Sequence, residues 1–85
     1  MIEVADAAKI EIQEILNNNP GKHLRIEVEG DGCAGPYLRL FLDEAGANEL
    51  TTRVNGIEFL ISDLVKRYAE ITTIKIFVNH LDNNQ

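Results

Sequence analysis

A seven-residue segment from Gly30 to Pro36 holds the side chain best suited to chemistry in this sequence. It reads Gly-Asp-Gly-Cys-Ala-Gly-Pro and contains the only cysteine, Cys33. Gly32 and Gly35 permit backbone conformations closed to other residues and let a ligand or a second chain approach closely. A cysteine exposed on such a loop can react as a thiolate or bind a metal. The alternative interpretation is a glycine-rich hairpin loop whose inert cysteine fills a small gap.

Few other side chains are candidate ligands. Asp31 lies two residues before Cys33 and could face the same metal site, although an acidic loop residue is by default a turn former. The two histidines, His23 and His80, stand at a predicted strand start and in a polar tail, where histidine is more often solvated than metal-bound. We therefore take Cys33 as the main candidate and Asp31 as the second.

Two further patterns do not predict an active site. Gly30, Gly32 and Gly35 match the Gly-x-Gly-x-x-Gly spacing of dinucleotide sites, but a strand follows them instead of a helix. The helix N-terminus that would hold a pyrophosphate is therefore missing. Glu27 and Glu29 have the spacing of a carboxylate pair, yet alternating charges on a strand usually form its solvated side.

Two predicted strands flank the loop. The first begins at His23 and the second runs from Tyr37 to Asp43. In both, every second residue is apolar, which is typical of a strand with one buried face. Their apolar positions are Leu24, Ile26, Val28, Leu38, Leu40 and Leu42. The opposite face of the second strand carries Tyr37, Arg39 and Phe41, which would be covered by the first helix, by a partner chain or by solvent.

The rest of the pattern predicts two helices, a hairpin and a last strand. The helices cover Asp6–Asn17 and Ser62–Tyr68, the second capped by Ser62, and the last strand covers Thr73–Val78. Asn55-Gly56 between two short β-like runs is a strong hairpin signal, because a type I′ turn needs positive φ twice. These elements predict an α+β fold, a compact β-sandwich with two helices, in a single domain over residues 1–85.

The apolar faces of these elements are expected to meet in one core. The strand positions named above are joined there by Ile12, Ile15, Leu16, Ile74, Ile76 and Val78. Leu40→Ala is then expected to cost about 2 to 5 kcal/mol, as other cavity-forming changes do.

Charge and composition exclude several classes of protein. Fourteen acidic and eight basic residues give a net charge of -6, and the basic residues are scattered, so nucleic acid is not an expected partner. The longest apolar runs have three residues and the N-terminus is acidic, so neither a membrane span nor a signal peptide is expected, and we expect a cytoplasmic protein. One cysteine allows neither an intramolecular disulfide nor a multi-cysteine structural zinc site.

Several segments together resemble a known family. They are the helix opening Val4–Ala8, the strand Leu24–Val28, the loop Gly32–Gly35, the strand after it, and the run Asn55–Ser62. This combination resembles the HesB-like domain of A-type iron-sulfur cluster carriers and scaffolds, and the loop is its specific part. The resemblance implies a twisted β-sandwich flanked by helices, assembly as dimers or tetramers, and binding of iron or an iron-sulfur cluster.

The sequence also departs from the usual pattern of that family. Usual members carry one cysteine in the loop matched by Cys33 and a Cys-Gly-Cys pair near the C-terminus, whereas Asn79–Gln85 contains no cysteine. The small size and the Gly-Cys-Ala-Gly-Pro run look closer to a HesB-related subgroup in which some members have selenocysteine at the position of Cys33. That similarity implies a functional Cys33.

The resemblance and the ligand count together imply a shared site. An iron-sulfur cluster needs about four ligands, usually thiolates, and one chain supplies one. A cluster is therefore expected at a homo-oligomer interface formed by Gly32, Cys33 and Gly35, with Asp31, a histidine or glutathione completing the coordination. Iron-sulfur donor or recipient proteins are the implied further partners.

Three functions remain open from the sequence. The first is a non-enzymatic accessory protein of iron-sulfur cluster assembly. The second is a thiol redox protein in which Cys33 cycles through a sulfenic acid or a mixed disulfide with an external thiol. The third is an interaction domain that has lost cluster binding.

Overall fold

A computed structural model describes residues 1–30 and 37–77 of the chain. The elements in chain order are β1 (Ile2–Val4), α1 (Asp6–Asn17), β2 (His23–Glu29), β3 (Tyr37–Asp43), β4 (Thr51–Val54), β5 (Ile57–Ile61), α2 (Asp63–Ile71) and β6 (Ile74–Ile76). Two helices and two sheets confirm the predicted α+β class. No helix within these two ranges is long and apolar enough to cross a bilayer.

The larger sheet has four strands in the order β3-β2-β5-β4. β2 runs antiparallel to β3, from the pair His23 and Asp43 to the pair Glu29 and Tyr37, and parallel to β5. The second sheet is the parallel pair β1 and β6. The sequence patterns did not predict these parallel pairings, because parallel partners are joined by long crossovers that leave no turn signal.

The core lies between one face of the larger sheet and the two helices. Its buried residues are Val4, Ala8, Ile12, Leu24, Ile26, Ile57, Phe59, Ile61, Val65, Ala69 and Ile74. Of these, Ile26, Phe59 and Val65 are completely buried. The predicted apolar face of the central strand β2 thus points into the core. Partly buried residues pack at the margin of the core, and they include Leu38, Leu42 and Leu16.

The predicted core was wrong at two positions. Leu40 is 38% exposed and Ile15 is 44% exposed. Leu40 lies directly opposite the buried Ile26, but β3 is an edge strand. The helices cover the central strands of the sheet, β2 and β5. The inward face of an edge strand is therefore only half covered. Val78, also predicted in the core, lies outside the described residues.

The hairpin between β4 and β5 confirms the turn prediction. Asn55 and Gly56 both have positive φ, at 50° and 79°. The Asn55 side-chain amide also donates hydrogen bonds to the carbonyl oxygen of Val4, at 2.8 Å, and to Asp6 Oδ1, at 3.2 Å. The turn therefore anchors the junction between β1 and α1.

Some boundaries differ from those predicted. Ser62 caps α2 as expected, its hydroxyl accepting a hydrogen bond from the Val65 amide, but the helix continues to Ile71 because Ala69 packs into the core. β6 is shorter than the predicted strand within the described residues. β1 has three residues, too few to reveal a period in the sequence.

Candidate functional site

The candidate loop lies in the chain between β2 and β3, and β3 is the outermost strand of the larger sheet. Gly30 ends the first described range with a φ of +127°, a conformation that favours glycine, and Tyr37 opens the second. Glu29 and Tyr37 are paired across the hairpin. The predicted site residues Asp31, Gly32, Cys33 and Gly35, together with His80, lie outside the described residues. Their roles stay predictions, and the structure places the two strand ends that carry the loop.

Beside the loop, the outward face of the hairpin is held by charged and aromatic side chains. Arg39 Nη1 donates to Glu29 Oε2 at 2.7 Å, and its guanidinium lies 4.3 Å from the centre of the Phe41 ring. Tyr37 is 55% exposed. Within one chain, Arg39 therefore packs against Glu29 and Phe41, and Tyr37 is exposed; whether a partner chain covers this face stays a prediction.

Farther from the loop, Arg25 clamps the connection between β3 and β4 to the same face. Its Nε donates to Asp43 Oδ2 at 2.7 Å, and its two terminal nitrogens donate to the Glu49 carboxylate at 2.7 and 2.9 Å. Hydrogen bonds from Arg25 are the main reason that the pKa of Glu49 is lowered to about 2. They are also the main reason that the pKa of Asp43 is lowered. The same hydrogen bonds raise the pKa of Arg25, and the bond with Glu49 has the larger effect.

A buried residue also lies on the outward face of the sheet, next to Arg25. Leu60 is completely buried yet is not part of the core cluster, and it pairs in register with Arg25 on the outward face. The sequence analysis missed the clamp because no local pattern links Arg25 to Glu49. Predicting their contact would have required the pairing of the strands, which brings the two residues together. The clamp stabilises the sheet that carries the candidate loop.

His23 lies at the opposite end of β2 from Gly30, about 23 Å away for seven residues at the usual rise of a strand. Its Nε2 is 4.0 Å from Glu58 Oε1, and its buried Nδ1 has no hydrogen-bond partner. Glu58 also accepts hydrogen bonds from Thr51 and Arg53. The structure therefore does not bring His23 to the start of the candidate loop.

The described residues do not form a metal site by themselves. They contain no group of three or more histidine, cysteine, aspartate or glutamate side chains close enough to hold a metal ion. A complete set of iron ligands would therefore need contributions from the segment 31–36, from residues after Phe77, from a second chain or from small thiols.

Comparison with known proteins finds sequence relatives that share one name. A protein of Janthinobacterium sp. (strain Marseille) is 30% identical over 70 residues, which cover 79% of this chain and 60% of the relative. A protein of Dechloromonas aromatica (strain RCB) is 33% identical over 66 residues, covering 74% of this chain and 57% of the relative. Both are provisionally named iron-sulfur cluster insertion protein ErpA. The chain is a distant homologue of these ErpA proteins.

The chain spans about 60% of the length of the ErpA relatives that it matches. The crystal structure of Escherichia coli SufA, described as involved in biosynthesis of iron-sulfur clusters, matches the fold with a TM-score of 0.68 at 22% identity. That match covers 92% of this chain and 69% of SufA. No family model matches the chain. The predicted relationship to A-type proteins is thus confirmed as distant homology, while the placement in the small HesB-related subgroup stays a prediction.

Proposed function

We propose that this chain is an accessory protein of iron-sulfur cluster assembly that binds iron or a transferable cluster through Cys33. In this proposal the cluster is cargo, held between copies of the chain and passed on to a recipient protein. The chain acts as a carrier and not as an enzyme.

The observation that carries this proposal is the distant homology to ErpA proteins. The alignments cover 74 to 79% of the chain, and the structural match to SufA extends over 92% of it. The relatives' names concern the insertion of iron-sulfur clusters. Since the chain spans about 60% of their length, their activity is applied to it here as a proposal.

The described strand ends that flank the candidate loop support a ligand role for Cys33. The segment 31–36 follows β2 in the chain and precedes β3, the outermost strand of the larger sheet, and Tyr37 at the start of β3 is exposed. In this proposal the Cys33 thiolate, carried next to an exposed strand end, meets a second chain or a small thiol. This matters because a cluster needs about four ligands and the sequence contains one cysteine.

Anaerobic reconstitution with iron and sulfide, with and without glutathione, tests this proposal. We expect the absorption bands of a cluster, with bound iron and acid-labile sulfide, in the wild-type protein and their loss in Cys33→Ala. Asp31→Asn is expected to weaken retention of iron if Asp31 is a ligand, and Glu14→Gln, on an exposed face of α1, is the control for loss of one charge. Wild-type protein that binds no cluster under any thiol condition would contradict the proposal.

A thiol redox function is the second candidate, favoured by the presence of one cysteine without a second thiol to complete a metal site. In it a peroxide oxidises the Cys33 thiolate to a sulfenic acid and is itself reduced, releasing water or an alcohol. An external thiol then condenses with the sulfenic acid, releasing water and leaving a mixed disulfide. A Cys33 that reacts in this way in protein unable to bind iron would select this function. A chain with neither property would be an interaction domain.

A further inference from the structure

We infer that β3 is a self-association edge, on which a second copy of this chain adds its own β3 in antiparallel orientation to continue the larger sheet. β3 is the outermost strand of the order β3-β2-β5-β4, and among the described residues its only strand neighbour is β2. The inference does not depend on iron or on Cys33, and it therefore goes beyond the proposed function.

The first argument is that this edge lacks the features that usually prevent strand addition. Proteins protect exposed edges with lysine, proline, bulges or very short strands. β3 has seven residues, contains neither lysine nor proline, and pairs with β2 in continuous register over its full length. Its two charges are also neutralised within the chain, Arg39 by Glu29 and Asp43 by Arg25.

The second argument is that the strand is complementary to itself. The two-fold arrangement centred on Leu40 pairs all seven residues and sets Leu40 against Leu40 of the second copy. Leu38 then faces Leu42 on the same side of the sheet, where the leucines are only partly covered within one chain. A register slipped by one residue would move these leucines to the polar face, so the apolar pattern selects the pairing.

The opposite face of the strand fits the same arrangement. Arg39 of one copy faces Phe41 of the other, which repeats the cation–π contact that the two side chains make within one chain. Tyr37 faces Asp43, so a phenol meets a carboxylate that can accept its hydrogen bond. Asp43 also lies diagonal to Arg39 of the other copy, and opposite charges at that spacing attract each other.

The pairing has a geometric consequence for the candidate loop. It sets the Tyr37 residues of the two copies at opposite ends of the paired strands, about 20 Å apart for six strand steps. A cluster shared between two Cys33 loops would therefore use a different contact between chains. Strand pairing and cluster sharing are separate interfaces, which lets each be lost without the other.

Light scattering of iron-free protein under reducing conditions, over about 5 to 500 μM, tests the inference, since a single strand pair is a small interface. We expect the mass to rise with concentration from the 9.5 kDa of one chain to twice that value. Leu40→Lys places a charge at the centre of the pair and is expected to weaken the dimer at least tenfold. Leu50→Lys, at an 84% exposed leucine outside β3, is the matched control and is expected to dimerise as the wild type does. A wild-type monomer at every concentration, or a dimer that Leu40→Lys leaves unchanged, would overturn the inference.

A cross-linking experiment settles the matter if Leu40→Lys fails to fold. In the Cys33→Ala background, Leu40→Cys is expected to form a disulfide between copies on mild oxidation, because directly paired positions bring the Cα atoms within bonding range. Leu50→Cys in the same background is the control and is expected to cross-link much more slowly. Equal rates for the two variants would overturn the inference. Since neither variant contains Cys33, the result is independent of cluster binding.

Discussion

Ile26 and Leu40 are opposite each other on the same face of the sheet and differ in burial, so truncating each to alanine measures how far the core extends. Both changes remove three side-chain carbons. Ile26 is completely buried beneath the helices, so Ile26→Ala loses about 2.4 kcal/mol of transfer free energy and leaves a cavity, about 3 to 4 kcal/mol in all. Leu40 is 38% exposed and opens to solvent, so Leu40→Ala is expected to lose about 1.5 kcal/mol, in proportion to the buried part of the side chain and without a closed cavity.

Urea unfolding of the two variants checks this difference, at low protein concentration so that pairing through β3 does not contribute. With a slope of about 1 kcal/mol per M for a chain of this size, Ile26→Ala is expected to unfold at roughly 2 M less urea than Leu40→Ala. A chain of this length has about 4 to 13 kcal/mol of stability in total, so the loss at Ile26 is a large share. Equal midpoints for the two variants would refute the conclusion that β3 lies at the uncovered margin of the core.

Three further predictions concern other parts of the chain. Because Arg25 lowers the pKa of Glu49 from 4.5 to about 2, the clamp stabilises the fold above pH 4.5 and loses that contribution as the pH falls toward 2. Urea midpoints measured from pH 7 to pH 2 should fall over this window, and less steeply in Glu49→Gln. Ser62→Ala removes the cap of α2 and should cost about 1 kcal/mol in the same assay, with Ser62→Asp close to wild type. Thiol titration of the native protein should show a Cys33 that reacts near neutral pH, and reaction only after denaturation would identify a buried cysteine.

Local patterns predicted the elements of this fold well. The bounds of α1 and β3, the Asn55-Gly56 turn and the Ser62 cap follow from periodicity and from residues with strong backbone preferences. The parallel pairing of β2 with β5 was not predictable in this way, and neither was the Arg25 clamp, because both depend on contacts between distant segments. Leu40 was placed wrongly for the same reason. Alternation shows which face of a strand is apolar, whereas the strand order decides whether that face is covered.

The candidate site was located from the sequence by composition, since the glycines and the only cysteine of the chain fall together. The structure describes the residues at the two ends of that loop, Gly30 and Tyr37. The homology to ErpA proteins supports the kind of chemistry assigned to it. The role of Cys33 itself therefore depends on experiment.

Counting iron and acid-labile sulfide per chain after anaerobic reconstitution, together with the particle mass, tests the central claim most directly. Leu40→Lys is the suitable background, because it separates association through the cluster from association through β3. The account predicts one cluster for every two chains, a mass that doubles when the cluster binds, and loss of both when Cys33→Ala is added. A monomer that holds a complete cluster, or a cluster retained without Cys33, would contradict it.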